Sequence, residues 1–207
     1  NIQSTTNRVD YILITHPAFL AEATTLASYR ASQGLETLLV DVQDIYDEFN
    51  YGVISPTAIR EFLFYTANHW QAPAPTYVVL FGDGHYDPKN HFGTSSTSFI
   101  PPFLAMADPW IGETAADNRY VAFSGPEGIP EMILGRLAVN SVAQASAMVA
   151  KIIAYEQTPV VGSWANEVLA VAGVADSAGD FAAFSDTLIA DTLPLPYQAE
   201  KIHFGVT

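Results

Sequence analysis

Apolar positions along the chain follow two periods in turn. Tyr11–Thr15 (YILIT) is a short continuous apolar run, the mark of a strand buried on both faces. From Phe19 to Gln33 the period changes. Leu20, Ala23, Leu26 and Ala27 recur near 3.6, which predicts a helix, and Gly34 is placed to close it with a positive φ. Thr37–Val42 (TLLVDV) predicts a second strand. Ser55-Pro56 reads as a helix start, because Ser caps free N–H groups and Pro fits the first turn. Ile59, Phe62, Leu63 and Thr66 then mark one helical face. Tyr77–Phe81 predicts a third strand.

Beyond it, Asp83 to Arg119 is rich in Gly, Pro and Ser and predicts one long loop. Loops of that length are usually functional or ordered by something bound. Two short apolar runs follow, Tyr120–Phe123 and Met132–Leu134. Ser141 caps a helix carrying Val142, Ala145, Val149, Ile152 and Ile153 on one side. Thr158–Ser163 (TPVVGS) reads as a hinge. Glu167–Val174, Phe181–Leu193 and Lys201–Phe204 then predict strand, helix and strand. Strand and helix alternate, so the expected class is α/β, with a mostly parallel sheet covered by helices on both faces. Two units are expected, 1–158 and 159–207. The second is a single βαβ whose sheet is expected to continue in residues beyond this chain or on another chain.

Composition narrows the function. Hydrophobic residues make up 49% and charged residues 14%, which is globular and not disordered. A net charge of −14 repels nucleic acid and anionic lipid, and suits multivalent cations. No apolar stretch is long enough for a membrane helix. Cysteine is absent, so neither a thiolate metal site nor a cysteine nucleophile can come from these residues.

Candidate chemistry gathers where the third strand ends, in VVLFGDGHYDP. Asp83, His85 and Asp87 stand at the carboxyl end of a parallel strand, where α/β sheets collect functional groups. His85 between two carboxylates has the look of a general base, yet no Cys or well-placed Ser accompanies it. His16, His69, His85, His91 and His203 show no metal-type spacing and read as surface or half-buried histidines. Trp110, in the long loop, is a candidate for ligand contact.

Four segments carry a resemblance: YILITHPAFLAEATTLASYRASQGLETLLVDVQDIY, PTYVVLFGDGHYDP, TAADNRYVAF and PEMILGRLAVNSVAQASAMVAKIIAYEQTP. In this order they resemble the gingipain family of cysteine endopeptidases, over residues 9 to 204. The resemblance implies a caspase–hemoglobinase-like fold in three α/β/α layers, with a complete first subdomain and only the start of the second, catalytic one. It implies a catalytic His and Cys downstream of residue 207, since neither the Gly-His-Gly motif nor a Cys occurs here. It also implies structural calcium held by Asp83, Glu127 and Glu131 through carboxylates and by Ser124 and Ile129 through carbonyls; Asp87 and Asp117 are weaker candidates. Asp176 is placed to orient the catalytic His, or else caps the helix that follows. Implied partners are the remainder of the same peptidase domain and a peptide substrate, and the implied location is extracellular or the cell surface.

Two rival readings stand beside this one. The first is a non-catalytic, acidic, calcium-stabilised interaction module of the same fold. The second is a phosphoryl-acceptor domain using Asp41, Asp83 and Asp87 with Mg²⁺. It is weakened by THPAF, which stands where a Gly-rich phosphate loop belongs.

Overall fold

A computed structural model describes residues 1–94, 96–124 and 129–205. The chain forms two compact units, 1–157 and 158–207.

The first unit is built on four parallel strands in the order β2-β1-β3-β6. They are β1 (Tyr11–Thr15), β2 (Thr37–Asp41), β3 (Tyr77–Phe81) and β6 (Ile133–Leu137), with β4 and β5 in a separate hairpin. Side chains alternate across the sheet, as the two-residue strand repeat requires. Ile12, Ile14, Val40, Val78 and Leu80 enter one core with α2 (Val42–Asn50) and α3 (Pro56–His69). Tyr11, Leu13 and Phe81 enter the other with α1 (Leu20–Ser32) and α4 (Val142–Gln157). The result is the three-layer α/β arrangement that the periods predict.

The helix ends follow their sequence signals. The Ser55 hydroxyl accepts the N–H of Thr57 at 3.1 Å, and Pro56 opens α3. The Ser141 hydroxyl accepts the N–H of Gln144 at 3.3 Å. Gly34 closes α1 with φ 91°.

Three expectations are corrected. Residues 83–119 are not one loop: β4 (Leu104–Asp108) and β5 (Gly112–Ala115) pair as an antiparallel hairpin, and Asp117–Tyr120 is a 3-10 turn. Its strands are short and mostly small or polar, so no alternation advertised them. The strand expected over Thr37–Val42 ends at Asp41, and α2 begins at once. There the Asp41 carboxylate accepts the N–H of Gln43 at 2.9 Å. Tyr120 and Val121 are fully buried but lie in and just after the 3-10 turn, not in a strand.

The second unit pairs β7 (Glu167–Ala172) with β8 (Gln198–His203) in parallel, and α5 (Phe181–Thr192) packs on β7. Leu169, Val171, Phe184 and Ile202 are exposed on it. Parallel pairs are ordinarily covered on both faces.

Candidate functional site

The carboxyl ends of β1, β3 and β6 converge on one polar region. Gly82 N–H donates to the carbonyl of Leu137, and Asp83 N–H to that of Val139. The Asp83 carbonyl accepts both Phe99 and Ile100 N–H, which brings the loop back over the strand end. Gly82 is required: its φ is 154°, and a Cβ there would lie 2.9 Å from Phe99. At Gly84 a Cβ would meet the Ile100 carbonyl at 2.7 Å, so the GDG glycines are set by close approach of this loop.

Arg136, from ILGR, ties the region together. Nε and Nη2 form a two-pronged pair with Asp117 at 2.6 and 2.9 Å. Nη1 donates to the carbonyls of Gly82 and Ile100, both at 2.9 Å. Burial disfavours the Arg136 charge, the Asp117 bonds and charge favour it, and with Tyr120 the net shift of its pKa is upward. Beside it, the Tyr120 hydroxyl donates to the Pro101 carbonyl, and the buried Tyr46 hydroxyl has no partner among the described residues. Burial raises the pKa of both phenols, so both stay protonated.

Two adjoining hollows open here. A smaller one of about 350 Å³ is lined by Asp83, His85, Phe99 and Asn140 among others. A larger one of about 670 Å³ has His16, Val53, Ile54, Pro88 and Lys89 on its walls, and Ser96 and Thr97 border both.

His85 serves the backbone. Its Nδ1 accepts the N–H of Asp87 at 3.1 Å, and its ring rests on Tyr86 with centroids 4.4 Å apart. Asp87, only 5% exposed, accepts the N–H groups of His91 and Phe92 at 2.9 and 2.7 Å. Burial pulls its pKa up, those two bonds outweigh it, and the net shift is downward.

Of the five residues expected to share a calcium ion, Asp83 and Glu131 are not brought together. Asp83 follows the carboxyl end of β3, and Glu131 precedes the amino end of β6. The register Tyr77↔Ile133 to Phe81↔Leu137 leaves five paired residues between them. At about 3.3 Å per residue that is roughly 15 Å or more, far beyond the span of one coordination shell. Glu131 instead folds back on Phe123 and Ser124, accepting their N–H groups at 2.6 and 2.7 Å. The Phe123 N–H leads the interactions that lower its pKa. Glu131 therefore stands beside Ser124, while Ile129 is exposed and Glu127 lies outside the described residues. Among the described residues, no three His, Asp or Glu side chains are gathered as metal ligands.

Asp176 lies beyond the end of β7. One of its oxygens accepts the N–H of Ala178 at 2.7 Å, and its backbone bridges to Gly179. The cap of α5 is Asp180, which accepts from Ala183. Trp110 is 93% exposed on the β4–β5 turn.

With this geometry in place, the family model for peptidase family C25 matches residues 4–206. The chain belongs to peptidase family C25, the gingipain family. Among solved structures, dimeric latent PorU from Porphyromonas gingivalis aligns at 28% identity and TM-score 0.63. That match covers 77% of this chain and 16% of that one. The complex of Porphyromonas gingivalis RgpB pro- and mature domains aligns at 20% identity and TM-score 0.71, covering 95% and 43%. A third structure, described as a protease, aligns at 19% and 0.53, covering 81% and 32%. The last two matches carry the fold alone. The chain spans less than half of each of these three proteins. No curated protein sequence matches it. The fold is the caspase-like α/β arrangement of these C25 relatives. Within this C25 chain, Arg136 and its four bonds were not singled out by sequence. The YVVLFGD and ILGR stretches held the signal, because they lie on strands that pair in register, Leu80 opposite Arg136.

Proposed function

We propose that this chain is the non-nucleophilic front part of a gingipain-like, secreted cysteine endopeptidase. One conjunction carries the reading: a C25 match over residues 4–206 in a chain with no cysteine. Thiolate acyl transfer needs a Cys, a base to activate it, and donors for the developing oxyanion. The Cys must come from elsewhere in the protein, as does the catalytic His. The first unit acts as scaffold. In the second, Asp176 has one oxygen on its own turn and the other, without a hydrogen bond among the described residues, would orient the catalytic His. The exposed apolar residues of β7, β8 and α5 are the surface that the remainder of the peptidase domain covers.

Calcium belongs to this proposal in a narrower form. Glu131 with the Ser124 and Ile129 carbonyls, joined by Glu127, would hold the ion, and Asp83 would not share it. The fit rests on Glu131 reaching back to Ser124. A bound ion there would neutralise the Glu131 carboxylate and fix the turn leading into β6.

The test is activity of the whole gene product on casein, with and without a thiol alkylator. Alkylator-sensitive cleavage is expected, with none from the 207 residues alone. A whole protein lacking Cys would leave the rival reading, an acidic interaction module of the same fold.

A further inference from the structure

The larger hollow at the carboxyl end of the sheet has a chemistry of its own. This chain carries 8 Lys and Arg against 22 Asp and Glu. Arg8, Arg30, Arg60, Arg136 and Lys201 are each held in ion pairs with acids. Lys89 is exposed on the hollow's wall and pairs with no acid among the described residues. An unpaired ammonium in a strongly acidic molecule is an available partner for a single negative charge.

Neutral donors line the same hollow. His16 Nδ1 accepts the N–H of Ala18 at 3.1 Å, so the neutral ring carries its hydrogen on Nε2. Burial lowers the His16 pKa, against the pull of Asp41, and keeps the ring neutral near pH 7. The Asp41 carboxylate itself is engaged with the N–H of Gln43. Ser98 Oγ accepts the N–H of His85 at 3.1 Å and retains its own hydrogen to donate. Val53 and Ile54, 49% and 37% exposed, line the same hollow and give it apolar surface.

The segment carrying Lys89 is set in advance. Asp87 holds the N–H groups of His91 and Phe92, and Asn90 N–H bonds the Asp87 carbonyl at 3.1 Å with Asn90 at φ 52°. A ligand thus meets a formed bend, which lowers the ordering cost of binding.

We propose that this hollow binds an acidic side chain of an extended peptide, with its carboxylate on Lys89 and an adjacent aliphatic residue against Val53 and Ile54. One ammonium among neutral donors matches one carboxylate. A phosphate dianion would meet the same donors but more of the molecule's negative field. The site uses only residues of the first unit and stands apart from the peptidase reading.

The experiment is an NMR titration of the full chain with terminally blocked Ala-Val-Glu-Val-Ala and its Gln counterpart. The Glu peptide is expected to bind about tenfold more tightly, the gain of a charge-assisted bond over a neutral one. Lys89→Met is expected to bring the two peptides within about twofold, and Ile54→Ser to weaken both. The shifts should centre on Val53, Ile54 and Lys89. Lys89 is exposed, so an unchanged melting temperature verifies that the variant is folded. Equal binding of Glu and Gln peptides, no binding of either, or a Glu preference that survives Lys89→Met overturns the proposal. So does a preference for a peptide whose only carboxylate is its C-terminus.

Discussion

Arg136 and Asp117 form a fork-to-fork pair, Nε to one oxygen at 2.6 Å and Nη2 to the other at 2.9 Å. The pair ties the 3-10 turn that follows the β4–β5 hairpin to β6. The same guanidinium holds Gly82 and Ile100. The Arg136 and Asp117 side chains are only 12% and 23% exposed, so removing one partner strands the other in a poorly solvated place. Arg136→Met is expected to cost about 3 kcal/mol in urea unfolding, and roughly 10 °C in melting temperature for a chain of this size. Arg136→Lys keeps the charge but not the fork, and should fall between Met and wild type.

Gly84→Ala tests the close approach behind the GDG stretch. The added Cβ would meet the Ile100 carbonyl at 2.7 Å and Pro102 Cδ at 2.8 Å. Backbone must shift, at a cost of about 1–3 kcal/mol. Faster amide hydrogen exchange confined to residues 82–84, 99 and 100 is the expected signature. Gly135→Ala, with nothing within 4 Å of its Cβ, is the control and should exchange as wild type.

Stability should fall with acid in two stages. Burial holds the His16 pKa below its ordinary 6.5, so the unfolded chain takes that proton first. Stability from His16 is therefore present above about pH 6.5 and lost as pH falls through its lower folded value. The second stage belongs to carboxylates with lowered pKa. Arg30 lowers Glu156, the Phe123 and Ser124 N–H groups lower Glu131, and Asp87 is lowered as described. Their contribution is present above about pH 4.5 and disappears below it. Urea midpoints from pH 8 to pH 3 measure both stages. Glu156→Gln should flatten the second stage and leave the first.

On the proposed calcium set, which includes Glu131 and not Asp83, calcium should raise the melting temperature, and EDTA should reverse the rise. Glu131→Gln should abolish the calcium-dependent shift, and Asp83→Ala should leave it in place. A shift lost in Asp83→Ala and kept in Glu131→Gln would falsify the narrowed set.

Much of the frame was legible in the residues. YILIT and YVVLF are strands to the residue, because buried parallel strands need unbroken apolar runs. Ser55-Pro56 and Gly34 marked helix ends through their own backbone chemistry. Helix α2 went unseen although Val42, Ile45, Tyr46 and Phe49 have helical spacing. It follows TLLVD without a break, and only the Asp41 cap separates the two. Asp83 was rightly placed at a strand end, but its link to Glu131 was not a contact.

By itself the amino-acid order determined the layers, the acidity, the family likeness and the absence of a thiol. These depend on local period and on composition, which are properties of neighbours in sequence. Tertiary structure alone decided that Arg136 would reach Asp117, Gly82 and Ile100, that Asp83 and Glu131 would be parted, and that Lys89 and Ile54 would line one hollow. Such meetings depend on how parallel strands are registered and where their loops return, and side-chain spacing does not encode that.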